Sequence, residues 1–126
     1  VKIDLVKTRE YYNLLSSDLL CDCAYCKLYY LKARKEFSEL AVWLERYGVD
    51  IKKPFEVMSL EPDENGMLDY IGVQYIVFGV YSNYNSYHIG NFNIRIAYSY
   101  PSTEVSEEHF VLEVFPINSM RLSLKE

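Results

Sequence analysis

The chain is 126 residues long, half hydrophobic and a quarter charged. That leaves room for one domain, excludes low-complexity disorder, and makes neither a disulfide nor a metal necessary for a core. The net charge is −5, with cations interleaved with acids as in Lys32-Ala33-Arg34-Lys35-Glu36; a nucleic-acid partner, which demands a basic face, is not expected. No apolar run approaches the roughly 20 residues that span a membrane, so no membrane partner is expected either.

The opening, Val1-Lys2-Ile3-Asp4-Leu5, lacks a basic segment leading into an apolar one. Three cysteines is an odd number, whereas secreted domains pair theirs. The expectation is a cytoplasmic protein. Thirteen tyrosines fit a strand-rich chain better than a dedicated aromatic surface, because tyrosine suits a half-buried pleated face.

In chain order, residues 2–6 alternate weakly and predict a short strand. Residues 8–20 fit an amphipathic helix and an irregular extended segment about equally. From Tyr25 to Tyr47 the pattern is helical. Cys26, Tyr30, Ala33, Phe37, Leu40, Ala41, Leu44 and Tyr47 recur at spacings of three and four and share one face. Lys32/Glu36 and Lys35/Glu39 pair along the opposite side. Gly48 stands where a left-handed C-terminal cap belongs, and Pro54 blocks a restart. Leu28, Leu31 and Val42 lie off the main face, as ordinary exposed surface or as contacts to another element.

The period then changes to two. Phe55–Met58 reads as a short strand, and Asn65-Gly66 as a hairpin turn. Tyr70–Tyr81 is apolar on both faces and reads as a central strand. Residues 82–91 read as a loop. Phe92, Ile94, Ile96, Tyr98 and Tyr100 alternate with polar or small residues in a half-buried strand. Phe110–Phe115 is the last strand, ended by Pro116. The expectation is a single α+β domain over residues 1–126. Its N-terminal helical half carries one long helix (about 25–47). That helix packs on a mostly antiparallel C-terminal sheet of about four strands, connected as a meander.

Cys21-Asp22-Cys23-Ala24-Tyr25-Cys26 is the most distinctive stretch. Three readings stay open. As buried thiols, these residues behave as small apolar groups at a helix start, and Cys26 shares the stripe of Ala33 and Phe37. As a zinc site, Cys21, Cys23 and Cys26 need a fourth ligand, for which His88 and His109 are the only histidines. As a redox pair, Cys23 and Cys26 form a C-x-x-C running into a helix, whose N-terminus lowers a thiol pKa; the strand that precedes this motif in βαβ redox proteins is missing. A Cys23–His88 hydrolase dyad is disfavoured, since no orienting or oxyanion group can be named. The acidic run Glu61-Pro62-Asp63-Glu64-Asn65-Gly66 with Asp69 lacks calcium-loop spacing and reads as a solvated hairpin tip.

The segment Cys23-Ala24-Tyr25-Cys26-Lys27-Leu28-Tyr29-Tyr30 resembles a small uncharacterised family of Gram-positive (Firmicutes) bacterial proteins. The resemblance continues through Tyr47–Val57, Leu60–Gly66 and Asp69–Gly79. It implies a bacterial cytoplasmic protein and assigns no catalytic residue. The functional expectation is a small non-enzymatic binding or protein-interaction module without a cofactor. A tyrosine-lined groove or homodimer surface would use Tyr81, Tyr84, Tyr87 and His88, residues that combine rigid contact area with adaptable hydrogen bonding. The alternatives are zinc binding through Cys21, Cys23, Cys26 and a histidine, or thiol-redox chemistry at Cys23/Cys26.

Overall fold

The computed structural model describes residues 2–16, 20–81, 86–117 and 119–124. Among these, the elements in chain order are β1 (Lys2–Ile3), α1 (Leu5–Leu14), α2 (Ala24–Glu36), α3 (Ser38–Glu45), β2 (Glu56–Ser59), β3 (Met67–Val80), β4 (Tyr87–Ile89), β5 (Phe92–Ile96), β6 (His109–Pro116) and β7 (Arg121–Ser123). The result is an α+β fold with three helices and a mostly antiparallel sheet.

The doubly apolar run becomes the spine. β3 is 14 residues long and is buried on both faces from Gly72 to Phe78. It is long enough to carry two partners along each edge. Val73 and Gln74 pair with both β2 and β6, so those strands flank β3 on opposite sides. β1 lies on the edge away from β6, giving the order β1-β3-β6-β5-β4. The Asp69 carbonyl points to Leu60 beyond β2, whereas the next amide, that of Tyr70, donates to Met120. The C=O and N–H of one trans peptide group point to opposite edges of a strand, so β7 shares the β6 edge. A register shift beside Met58/Ser59 skips Ile71, whose side chain turns out to solvent, 52% exposed. The bulge thus removes one apolar residue from an otherwise buried run.

Several expectations are corrected. The expected sheet of about four strands has seven among the described residues: the short strand expected within residues 2–6 joins it as β1 over Lys2–Ile3, and β4 and β7 are pieces of three residues too short to show a periodicity. The connection is no simple meander: β6 inserts between β3 and β5. Residues 82–91 are not all loop, since Tyr87–Ile89 pairs with β5. β5 ends at Ile96 rather than Tyr100. The side-chain amide of Gln74 donates to the Ser99 carbonyl at 3.2 Å, and Tyr98 is 72% exposed.

The long helix over 25–47 is two helices, broken at Phe37 (φ −121°, ψ 50°). Its side chain is the reason. The ring sits between Phe92 (5.5 Å) and Tyr29 (6.3 Å), which ties the joint to the sheet. A straight 23-residue helix would run roughly 35 Å in one direction. The break lets α2 reach β7 while α3 turns toward β4. The expected face is the buried one, with Cys26, Ala33, Leu40, Ala41 and Leu44 all buried, and it is wider than the stripe because Leu28, Tyr29 and Trp43 join it. Tyr30 is half-buried, and Leu31 and Val42 are exposed. Gly48 adopts φ +81° after α3 as expected, and a Cβ there would press within 3.1 Å of the α1 backbone.

α1 resolves the ambiguity of residues 8–20 over Leu5–Leu14. It closes the stretch of β3 edge left open between β2 and β1. Tyr12 Oη donates to the Ile76 carbonyl (2.7 Å), and the Phe78 amide donates to Thr8 Oγ1 (3.1 Å). The Asp4 amide donates to the Phe78 carbonyl (2.9 Å). The main core lies between the helices and the face of β3, β5 and β6 that carries Val73, Tyr75, Ile94 and Leu112.

Candidate metal centre

The three cysteines sit where the chain enters α2. Cys23 is the N-cap residue: its Sγ accepts from the Cys26 amide at 3.4 Å, and its carbonyl accepts from the Lys27 amide. Cys26 therefore lies one turn into the helix, with its sulfur facing back toward the cap. The entry is held from the sheet side. Tyr70 Oη, on β3, donates to the Tyr25 carbonyl at 2.7 Å, and Tyr25 Oη donates to Glu61 at 3.1 Å. The sulfurs of Cys21, Cys23 and Cys26 lie within 4.8 Å of one another. Cys21 and Cys23 are exposed and Cys26 is buried, none of them in a disulfide.

The local electrostatics divide the pair within the helix. Hydrogen bonding from the Cys26 backbone and side chain holds the Cys23 thiol below its ordinary pKa, as expected of a helix N-terminus. Burial first, and then hydrogen bonds with the neighbouring cysteines, pushes the Cys26 thiol up. Tyr30 stands one turn after Cys26 and lines the same cleft. Burial, reinforced by Cys26 and Cys21, raises the Tyr30 phenol. The helical spacing of Cys26 and Tyr30 could have been read as this placement, whereas Tyr70 comes from 44 positions further on and left no local signal.

The cysteines form one wall of a cleft of about 410 Å³ between the end of α1, the start of α2 and the segment entering β2. Tyr11, Tyr30, Phe55 and Val57 form its apolar sides, and Lys53 and Glu56 are charged groups on its wall. Lys53 Nζ is tied to the Tyr12 carbonyl at 2.6 Å.

No histidine joins the cluster. His88 lies on β4, the last strand on the far side of the sheet, and β2 flanks β3 on the other edge. Three strand spacings separate β3 from β4, roughly 14 Å. His109 is held by Thr103 Oγ1 (2.8 Å) and the Glu107 carbonyl (2.7 Å) beside Phe78. The histidines are the part of the expected zinc set that the structure does not bring together with the sulfurs.

Residues 82–85 of the tyrosine-rich loop, Tyr84 among them, lie outside the described residues. The Tyr81 ring packs edge-on against Phe110 (5.6 Å), and Tyr87 lies against Trp43 (5.8 Å). The acidic hairpin tip is occupied internally. Asp63 Oδ1 accepts from the Asn65 and Met67 amides, and Arg121 bridges Asp63 and Asp69. Among the described residues, no helix is long and apolar enough to cross a membrane.

Fold and site define an α+β protein with a thiol-rich cleft at the entry to its second helix. Comparison with known families, curated proteins and solved structures finds no match to this chain.

Proposed function

We propose that the protein is a non-enzymatic metal-binding protein that holds Zn²⁺ through Cys21, Cys23 and Cys26. The observation that carries the reading is the convergence of three sulfurs within 4.8 Å. Sulfurs bound about 2.3 Å from a tetrahedral zinc stand about 3.8 Å apart. Closing the cluster onto an ion therefore needs no more than about 1 Å of contraction per pair, within reach of side-chain rotation at the two exposed cysteines. Zinc prefers thiolate and displaces the thiol protons. The resemblance to bacterial cytoplasmic proteins supports it further, because that setting keeps thiols reduced.

Elemental analysis of protein purified under reducing conditions tests the reading. One equivalent of zinc is expected, falling to a trace in Cys23→Ala/Cys26→Ala. Less than about one-tenth equivalent after incubation with excess zinc and gel filtration refutes it.

One observation favours a second reading, thiol-redox chemistry at Cys23/Cys26. Cys23 is exposed with its thiol pKa lowered, while Cys26 is buried with its thiol pKa raised. That asymmetry suits an attacking and a resolving thiol. Alkylation against pH decides it: an attacking Cys23 titrates below about 8.5, and a thiol that reacts no faster than a free one removes the reading.

A further inference from the structure

We propose that an ion seated on the three sulfurs keeps its fourth coordination position toward the adjoining cleft, and that this position takes a small thiol with an apolar body. The proposal rests on the zinc reading above.

Among the described residues, only three ligand atoms converge, and three protein ligands with one exchangeable position is the arrangement of an open zinc site. The sulfurs are themselves part of the cleft wall, so an ion bound to them fronts that space. At about 410 Å³ the cleft has the size of a small-molecule pocket and no room for a folded partner. Its sides are Tyr11, Tyr30, Phe55 and Val57, which hold an apolar or aromatic body better than water. The donor follows from hydration and softness, since a bound carboxylate and a bound thiolate bring the total to the same charge of −2. Three thiolates and Zn²⁺ leave a net −1, and the two charged groups on the wall, Lys53 and Glu56, offset one another. A carboxylate would carry its full charge and strong hydration into an apolar cleft. A thiol arrives neutral and loses its proton to solvent as its sulfur displaces the coordinated water. It then supplies the soft donor that the metal prefers.

The test uses the full chain loaded with one equivalent of Co²⁺ in place of zinc. Its sulfur-to-metal charge-transfer bands report the three cysteines, and its ligand-field bands report the fourth position. Phenylmethanethiol, 2-mercaptoethanol and imidazole are titrated separately. Phenylmethanethiol is expected to shift the ligand-field bands at least about tenfold more tightly than 2-mercaptoethanol, because its ring is buried. Phe55→Ala, or Val57→Ala should that variant fold poorly, is expected to erase most of this preference while the charge-transfer bands remain. Unchanged ligand-field bands with both thiols, loss of every band as the thiol strips the ion, or tighter binding of imidazole would overturn the inference alone. Failure to take up Co²⁺ at all would overturn the zinc reading and this one together.

Discussion

The Tyr12 hydroxyl donates to the Ile76 carbonyl, 64 residues away, at 2.7 Å inside the protein. The bond does the work of a missing strand. β2 ends opposite Gln74 and β1 begins opposite Gly79, which leaves backbone groups of Ile76 and Phe78 on an uncovered edge. Tyr12 and Thr8 supply the partners from the side of a helix. An open edge is both an energetic cost and a template for wrong pairing. Tyr12→Phe strands a buried carbonyl, and Thr8→Val strands the Phe78 amide. Each is expected to lower unfolding free energy by about 1–3 kcal/mol in urea titrations. A loss below about 0.5 kcal/mol in both would mean that water, and not α1, satisfies the edge.

That relationship also marks what was legible in the sequence. The spine of the sheet was readable, because Tyr70–Tyr81 is apolar at consecutive positions and only a doubly covered strand buries such a run. The helical stripe of residues 26–47 was readable for the same reason of period. The break at Phe37 was not, since it arises from where Phe92 and Tyr29 stand in space and not from glycine or proline. Of the short strands, β1 and β7 pair along the long β3, and β4 pairs with β5. β4 and β7, of three residues each, carry no pattern to detect.

Three phenols, those of Tyr12, Tyr29 and Tyr75, are wholly buried, and burial is the leading cause of their raised pKa values. Tyr75 donates its one hydroxyl proton to the Ile51 carbonyl, so in the 2.7 Å contact Tyr29 is the donor to Tyr75. Each of the three phenols is thus used as a neutral donor. Above the ordinary phenol pKa of 10.0 the unfolded chain releases these protons and the folded one keeps them. The unfolded state then binds fewer protons, and stability falls with rising pH by about 1.4 kcal/mol per pH unit for each phenol. Below pH 10 this contribution is fully present. Phenolate absorbance and circular dichroism followed together above pH 10 are expected to show exposed tyrosines ionising first and the buried three only as structure is lost. Ionisation of all thirteen tyrosines with native dichroism intact would contradict this.

The site was legible only in its local part. Cys21, Cys23 and Cys26 fall within six consecutive residues, so a metal cluster could be named from the sequence as one of three readings. The groups that hold and enclose them come from α1, from the segment entering β2 and from β3. Tyr70 fixes the Tyr25 carbonyl from 45 residues away, and no spacing rule could link it to the cysteines. The histidines failed because chain position says nothing about which edge of the sheet a strand will occupy.

Tyr30 is expected to tune the site through Cys26. Tyr30 lies one turn from Cys26 on the wall of the same cleft, where its hydroxyl can serve a coordinating sulfur as an outer partner, and loss of such a partner weakens metal binding by about 10–100-fold. Tyr30→Phe keeps the half-buried ring and removes only the hydroxyl. Zinc affinity measured against a chromophoric chelator is expected to drop about tenfold, with metal-free stability changed little. An unchanged affinity would assign Tyr30 to packing alone.

A contrast between Cys21 and Cys26 separates metal binding from the simpler account in which the thiols merely fill space. Cys21 is exposed and Cys26 is buried. If the sulfurs only pack, Cys21→Ser changes nothing, and Cys26→Ser destabilises by placing a hydroxyl in an apolar niche, by about 1–3 kcal/mol. If they share an ion, the two substitutions act alike in the presence of zinc. A ligand at a hundred times its dissociation constant adds about 2.7 kcal/mol to the folded state. Cys21→Ser is then expected to abolish a zinc-dependent rise in melting temperature while leaving the metal-free melting temperature where it was. Chelator treatment of the unsubstituted protein should reproduce the melting temperature of that variant. An identical zinc response in the unsubstituted protein and in Cys21→Ser would remove Cys21 from the ligand set.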